Sequence, residues 1–390
     1  MKTISLTFLV LVLCACTSRP DVQLPEEISS LDNLVKFSAD SEPLTQVQLI
    51  PETVYGDTED VLLGDWLSVH VDSRGRVFIG DSRETVIHLY NPDGTYNRQI
   101  WRSGEGPGEY QNIGPMRSDE NYFYHYDNRS RRLTKYDINS FVVAGDVELR
   151  IEWDDEEAFF RSVRTFYLIG ADDEILVQLG MGFRAGRPDI DLSQREMQGY
   201  LFNLETGTFS DQRVFTFPAS EALVHFGNDG SLAVTSVPYK RSSVARVNNG
   251  QIIHGWNEHF LFRFYDMESN YRRAVYYDYP NPPLDRNEVL KLYEGRGEPW
   301  EGMVRNDDMP ETWPSWSGFL MDDENRLWVE RRTTDPDLTE FHLLDESGEL
   351  LAVLPWDAAN RVQHIQNGYL YSLEENEDGL REVVKYRIEM

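Results

Sequence analysis

Basic and aromatic residues gather in a few long, irregular segments of an otherwise acidic chain. Aromatic rings beside arginine side chains suit a glycan, a peptide or a partner protein, because they combine apolar area with hydrogen-bond donors. The candidate binding residues are Arg184, Arg187, Tyr239, Lys240, Arg241, Arg296, Trp300, Trp313 and Trp316. For each tryptophan the alternative is that it packs its loop onto the domain. The spacing of the residues predicts no catalytic set.

Two histidines offer a second kind of chemistry. His70 and His364 fall on short apolar runs, each of which is the first strand in one copy of a repeat. Imidazole is a zinc ligand, but a catalytic zinc usually takes three protein ligands, and the sequence shows no clear third one. Packing or hydrogen bonding is the alternative for this pair. The sequence therefore predicts no cofactor, while allowing a divalent cation near these histidines.

The N-terminus has the layout of a bacterial export signal. Lys2 precedes an apolar run over residues 4–13, which is too short to span a bilayer as a helix. The run leads into a lipobox in which Ala15 stands before the cut and Cys16 receives the lipid. An ordinary cleavage near Ala15, which leaves a free cysteine, is the alternative. We expect a lipoprotein of the outer membrane that faces the periplasm or the outside.

This interpretation divides the chain into three parts: a signal peptide over 1–15, a lipidated tether over 16–45 and a single domain over 46–390. The apolar residues within 28–37 suggest that part of the tether docks on the domain. Both cysteines lie in the first 16 residues, so the domain has no disulfide, thiolate metal site or cysteine nucleophile. Membrane contact is expected through the lipid alone.

The charge of the chain excludes one class of partner. Asp and Glu number 67 against 37 Lys and Arg, which gives a net charge of −30. A surface this negative repels phosphate backbones, so we expect no nucleic acid partner. A hydrophobic content of 40% is enough to build a large core and excludes global disorder.

Two short patterns recur along the domain. One is a turn that leads into a strand, centred on Gly75, Asn121, Glu174, Gly250, Asn325 and Gly368. The other is a strand that ends in an acidic turn, at Tyr90, Tyr136, Phe202, Tyr265, Leu344 and Tyr386. Gly and Asn suit the first pattern because they tolerate the positive φ of a tight hairpin. Four strand-like runs accompany each copy, and six copies predict an all-β, six-bladed β-propeller.

The last copy ends the chain without a fourth strand, while residues 47–50 form a strand-like run with no partner. We expect this run to complete the last blade and close the ring, which removes two open sheet edges. A β-sandwich, the alternative fold, does not account for this complementary pair. A turn at Gly230 also matches the first pattern. We interpret it as an insertion or an extended strand of the preceding blade, with a degenerate seventh blade as the alternative.

Gly104-Glu105-Gly106-Pro107-Gly108-Glu109-Tyr110 is the most specific motif. With the Asp-x-x-Gly turns and the Leu327-Trp328-Val329 strand, it resembles the six-bladed β-propeller lipoproteins of Gram-negative bacteria, which are relatives of the NHL-repeat propellers. The resemblance covers residues 46–390 and implies architecture and export, with no established catalytic residues to carry over. A phosphate cradle is the alternative for the glycine-rich loop. It lacks the following helix and lysine, so we interpret it as a turn between blades.

Strand direction alternates within a blade, which sends the long connections to one face and the short repeated turns to the other. The long segments cover residues 104–115, 154–161, 180–199, 218–246 and 279–315, with a short helix expected within 284–294. Loops of such length are commonly functional. We therefore expect a binding or scaffold module that engages a glycan, peptide or protein on this face. The alternative is a metal-dependent hydrolase or lyase at the channel mouth.

Overall fold

The computed structural model describes residues 24–58, 61–100, 103–106, 108–151, 159–171, 173–183, 191–227 and 230–390. The predicted signal peptide with Cys16, and the candidate residues Arg184 and Arg187, lie outside this part of the chain. Its body is six sheets of four antiparallel strands, one of which gains a further parallel strand. Within the described ranges, no helix has the length and apolar character needed to cross a membrane.

The first elements precede the repeats. They are α1 (Glu26–Ser29), β1 (Leu34–Phe37) and β2 (Gln48–Tyr55). Blade one follows with β3 (Leu67–Val71), β4 (Val77–Asp81), β5 (Val86–Tyr90) and β6 (Tyr96–Ile100). Blade two contains β7 (Met116–Ser118), β8 (Tyr122–Asp127), β9 (Arg132–Asp137) and β10 (Val143–Glu148). Blade three contains β11 (Phe159–Ala171), β12 (Glu174–Phe183), β13 (Glu196–Asn203) and β14 (Thr208–Pro218), with a 3-10 turn at Leu192–Gln194.

A separate hairpin then intervenes, formed by β15 (Leu223–Phe226) and β16 (Leu232–Thr235). Blade four contains β17 (Ser243–Asn248), β18 (Gln251–Trp256), β19 (Phe260–Asp266) and β20 (Tyr271–Tyr277). Two helices follow, α2 (Arg286–Tyr293) and α3 (Trp300–Asn306). Blade five contains β21 (Gly318–Met321), β22 (Leu327–Arg332), β23 (Leu338–Leu344) and β24 (Leu350–Asp357). Blade six contributes β25 (Arg361–Gln366), β26 (Tyr369–Glu375) and β27 (Arg381–Glu389).

The predicted fold is confirmed: the chain is a six-bladed β-propeller. Each pair of neighbouring blades shares one cluster of buried side chains, so the core is a ring of interfaces. Between blades one and two, for example, the rings of Phe78 and Phe123 stack with centroids 4.5 Å apart. Burying a large apolar side chain contributes roughly 1.5–3 kcal/mol, so these interfaces hold the ring together.

Ring closure also follows the sequence expectation. β2 pairs antiparallel with β27, from Gln48 beside Glu389 to Tyr55 beside Val383, and supplies the fourth strand of blade six. The Tyr55 ring is fully buried, and its hydroxyl donates a 3.0 Å hydrogen bond to the carbonyl of Pro92 in blade one. The strand therefore joins the last blade to the first.

The preceding segment docks on blade four. β1 pairs in parallel with β20, with Leu34 opposite Ala274 and Phe37 opposite Tyr277. Ile28 is buried against Leu261 and its neighbours on the same blade. Residues 24–37 thus cover the outer edge of this sheet, which agrees with the docking expected from their apolar residues.

In blades one, two and five the repeated turn contains an aspartate acceptor. In blade one, Oδ1 of Asp72 accepts hydrogen bonds from the backbone N–H groups of Arg74 at 3.0 Å and Arg76 at 2.9 Å. Gly75 has a φ of +77°, and its counterpart Asn325 in blade five has a φ of +63°. A side-chain acceptor two to four residues before these donors stabilises these turns locally.

Candidate functional site

The long connections form a cap on one face of the ring. Two of them join the last strand of one blade to the first strand of the next. We define the cap as these two segments: residues 219–242, with the β15–β16 hairpin, and residues 278–317, with α2 and α3. The two segments share a hydrophobic core. The Gly230 turn lies within the hairpin, and α2 lies within residues 284–294, so the predicted insertion and helix are both confirmed.

Two predicted binding residues belong to the packing instead. Trp313 is 3% exposed in the cap core, and the guanidinium of Arg332 lies 4.0 Å from its ring centroid. Trp316 is 1% exposed between blades four and five, and its Nε1 donates to the carbonyl of His259 at 3.0 Å. A ligand cannot reach either indole. The alternative weighed from the sequence, that these tryptophans pack the insertion onto the ring, is the correct one for both.

Arg241 is likewise used inside the structure. Its side chain is largely buried, and its guanidinium donates to the carbonyl and hydroxyl of Thr312 and pairs with Glu258 at 3.3 Å. These contacts join the two segments of the cap to blade four. The donors of Arg241 are thus engaged within the structure, and a role in ligand binding stays a prediction.

Lys240 lines a pocket of about 580 Å³ between the hairpin and α3. The apolar part of the wall consists of Leu192, Ala222, Leu223, Val224, Pro299 and Met303. The polar part consists of His225, Lys240, Glu298, Asn306 and Asp307. Apart from Leu192, which follows strand β12 of blade three, all of these residues come from or adjoin the cap. Of the residues proposed from the sequence and described by the structure, only Lys240 lines this pocket.

A charged pair closes the inner end of this pocket. Nζ of Lys240 lies 2.9 Å from Oδ2 of Asp307, and both side chains are mostly buried. Burial, with the charge of Asp307, raises the pKa of the fully buried Tyr239 above its usual range. Tyr239 therefore belongs to the cap core as a neutral phenol, and the ammonium of Lys240 serves to hold α3 against the hairpin.

The other aromatic and basic candidates lie beside the pocket. Trp300 is the first residue of α3 and remains partly exposed. Arg296 is exposed, with its guanidinium 4.9 Å from the ring centroid of Tyr293. Neither side chain lines the pocket.

Sequence reasoning missed an exposed indole on the same face. Trp66 is 75% exposed, directly before the first strand of blade one. With Asp65, Ser82 and Arg83 it lines a second pocket, of about 350 Å³. Leu62, nearby in the chain, is 74% exposed. No pattern marked Trp66, because it stands in a connection of ordinary length.

The glycine-rich loop is a turn between blades, as the sequence suggested. The carboxylate of Glu109 folds back to accept a 3.0 Å hydrogen bond from the N–H of Gly106. A Cβ on Gly104 would stand 2.0 Å from the same carboxylate, so a side chain there would displace it. Tyr110 is buried, and its ring lies 4.7 Å from that of His125 in blade two. The carboxylate of Glu109 thus occupies an N–H group that a phosphate would need.

His125 makes this loop sensitive to acid. Its Nε2 accepts a 3.2 Å hydrogen bond from the N–H of Gly114, and burial lowers the pKa of His125 to about 4. Between pH values of about 6.5 and 4 the unfolded chain binds the proton more readily than the folded protein, so stability falls as the pH falls. The integrated loss across this window is about 3 kcal/mol.

The comparison variant is His125→Gln, whose side-chain oxygen can still accept from Gly114. Urea unfolding at about pH 7 and about pH 4.5 should show a smaller acid loss in this variant, by about 2–3 kcal/mol. Replacing the exposed His225 with glutamine serves as the control and should leave the acid loss unchanged. Equal acid losses in His125→Gln and the unmodified protein would contradict the assignment.

His70 and His364 meet at the central channel. They lie on the first strands of blades one and six, and their ring centroids are 5.6 Å apart. Burial holds the pKa of His70 well below its usual range, and His364 and Arg117 add to this effect. Nε2 of His70 lies 2.8 Å from Oγ of Ser118, and Nε2 of His364 lies 2.9 Å from Oε1 of Gln366.

The two rings are therefore neutral and could each offer a nitrogen to a metal ion. In the described part of the chain, no three His, Cys, Asp or Glu side chains come together to hold one. The pair lies toward the short-turn end of its strands, away from the cap. The histidine pair in the channel and the cap pocket are thus two separate candidate sites.

Comparison with known proteins agrees with this architecture. A family model described as a 6-bladed β-propeller matches residues 27–161. No curated protein matches the chain in sequence. The match spans α1 to the first part of β11, which includes the N-terminal strands that close and extend the ring.

Two solved structures share the fold over most of the chain. One is an exported-protein candidate from Bacteroides fragilis, with a TM-score of 0.52 and 12% identity over 92% of this chain and 100% of that one. The other is a member of the duf4221 family from Bacteroides vulgatus, with a TM-score of 0.54 and 13% identity over 89% and 99% of the two chains. At this identity the likeness shows the fold alone.

Proposed function

We propose that the protein is a binding module of the cell envelope, anchored at Cys16 and engaging a peptide or protein segment in the cap pocket. The observation that carries this proposal is the pocket itself, because the cap insertions and an adjoining loop build it. Export and anchoring rest on the lipobox of the leader, and the exported-protein candidate of the same fold is consistent with them.

The wall chemistry favours a peptide. Leu223, Val224 and Met303 offer apolar area, and methionine adapts its shape to varied side chains. Asn306 and His225 are exposed at the rim, where their side chains can exchange hydrogen bonds with a peptide backbone. Pockets with apolar walls and a few polar groups are typical of ligand sites. Trp66 offers a separate surface on the same face, where an exposed indole beside Asp65 and Arg83 suits a glycan.

Photo-cross-linking of the full chain in cells tests the proposal. A cross-linking amino acid in place of Asn306 should give a discrete adduct with a partner. The same amino acid at Glu205, which is exposed in a short turn on the opposite face, should give none. Adding Met303→Glu should reduce the adduct by about tenfold or more, because a carboxylate in an apolar wall opposes binding. Circular dichroism should show that the variant is folded.

Trp66→Ala distinguishes binding in the cap pocket from binding at the Trp66 pocket in the same assay. This variant should leave the adduct at position 306 unchanged if the partner occupies the cap pocket. Loss of the adduct in Trp66→Ala but not in Met303→Glu would move the site to the second pocket. Absence of any adduct, or equal adducts at positions 306 and 205, would contradict a site on the cap.

A further inference from the structure

The central channel contains a group of basic side chains that the proposed function does not use. Arg117 and Arg246 lie on the first strands of blades two and four, and His70 and His364 lie on those of blades one and six. The charge of Arg117 acts on both histidines, and the charge of Arg246 acts on Arg117. Arg117 thus interacts electrostatically with basic residues of three other blades.

The contacts of Arg117 are all with neutral groups. Nη1 donates to the carbonyl of Met116 at 2.7 Å, and Nη2 donates to Oγ1 of Thr165 at 3.1 Å. Its guanidinium carbon also lies 5.8 Å and 5.9 Å from the ring centroids of Phe166 and Tyr167. Burial lowers the pKa of this guanidinium, and the charge of Arg246 lowers it further. These contacts orient the guanidinium without balancing its charge.

The contacts of Arg246 are also with neutral groups. Its Nη1 donates to the carbonyl of Ala245 at 3.1 Å, and its guanidinium carbon lies 5.7 Å from the ring centroid of Phe319. Among the residues that the structure describes, no carboxylate is within ion-pair distance of Arg117 or Arg246. The charge of Asp323 acts on His364, and its carboxylate accepts a hydrogen bond from the N–H of Asn367.

This lack of carboxylates contrasts with the rest of the molecule. The net charge is −30, and several buried or half-buried arginines pair with acids, such as Arg76 with Asp72 and Arg326 with Asp322, each at 2.7 Å. A guanidinium remains charged at any physiological pH, and an enclosed charge is costly unless an opposite charge meets it. Since no carboxylate of the described residues supplies the counter-charge, an anion from solution is suited to supply it.

We propose that the central channel binds a small oxyanion, a carboxylate or a phosphate, between Arg117 and Arg246. Guanidinium groups match both ligands because their planar N–H forks bind two oxygens at once. The histidines are neutral, so they line the site without adding charge and can exchange hydrogen bonds with the ligand. The site lies toward the short-turn end of the channel and is independent of the cap pocket.

Isothermal titration of the purified chain with inorganic phosphate and, separately, with succinate tests the proposal, with chloride holding the ionic strength constant. We expect at least one of the two anions to bind and to raise the Tm as its concentration increases. Tighter binding of phosphate points to a phosphate ligand, and tighter binding of succinate points to a carboxylate ligand. If neither anion binds at about 10 mM, the proposal is wrong.

Arg117→Met and Arg246→Met locate the binding. Each replaces a guanidinium with an apolar side chain and should weaken anion binding by about tenfold or more. In chloride alone, Arg246→Met should melt no lower than the unmodified protein, because it removes an unbalanced charge. Arg132→Met is the matched control, since Arg132 pairs with Asp146 at 2.7 Å, and it should bind the anion normally. Unchanged binding in Arg246→Met would place the anion elsewhere and overturn the proposal, even if Arg117→Met does not fold.

Discussion

Replacing Asp322 with alanine should lower the free energy of unfolding by about 3–5 kcal/mol, among the largest losses expected from a single substitution here. The Asp322 carboxylate is 2% exposed and accepts four hydrogen bonds. They come from the N–H groups of Glu324 and Arg326, from Nε of Arg326 at 2.7 Å and from Nε1 of Trp328 at 2.8 Å. Alanine leaves a buried guanidinium and a buried indole N–H without this partner.

Two companion variants identify the cause of the loss. Asp322→Asn keeps an acceptor but removes the charge, and should cost about 1–3 kcal/mol. Asp345→Ala removes an acid from a turn on the same blade, where it accepts only from Ser347 and the N–H of Glu349, and should cost about 1 kcal/mol. Chemical unfolding measures all three values. A loss in Asp322→Ala no larger than in Asp345→Ala would show that the buried pair with Arg326 does not stabilise blade five.

Part of the negative charge of the chain comes from aspartates that accept hydrogen bonds within turns. Asp137, for example, accepts from the N–H groups of Asn139 and Ser140, and these bonds with that of the Ser140 hydroxyl lower the pKa of its carboxyl. Asp266 does the same in blade four, where its bonds are with Asn270 and Glu268. Many carboxylates are therefore turn residues. The net charge therefore says little about the ligand.

The count of blades could be predicted because it depends on local physics. A turn capped by its own aspartate must carry an acceptor and a residue with positive φ at set positions, as Asp72 and Gly75 do. These requirements involve only a few consecutive residues, so the long insertions in blades three and four do not change them. Two turns depart from this pattern: at Asn121 and Glu174 the backbone does not adopt a positive φ. The strand pattern still identified both copies.

The binding residues could not be predicted in the same way, because burial is decided by parts of the chain that are distant in sequence. Trp313 is buried where the two insertions meet, whereas Trp66 is left exposed by the part of the chain that the structure describes. Residue type and loop length do not distinguish these two indoles. Arg117 and Arg246 are 129 residues apart in the numbering and share a channel only after the ring closes.

A chain that begins at residue 56 should fail to give a stable monomer, whereas a chain that begins at residue 46 should fold. The difference is β2, which contributes eight residues to blade six and the buried Tyr55 to its interface with blade one. Removing the Tyr55 side chain alone costs about 3–5 kcal/mol. Without β2 the β27 edge is also open, and an unpaired edge is a template for association.

Moving the strand rather than deleting it provides the control. Gln48 lies opposite Glu389, so residues 46–55 appended after Met390 through a short turn can return antiparallel to β27 and occupy the same position. This permuted chain, beginning at residue 56, should be monomeric by gel filtration and melt near the chain that begins at residue 46. Both chains lack residues 24–45, so the docking on blade four does not enter the comparison.

If the chain without β2 is monomeric and melts at the same temperature, the ring does not depend on this strand. If the permuted chain fails where the chain from residue 46 folds, the strand contributes through its covalent position rather than its pairing with β27.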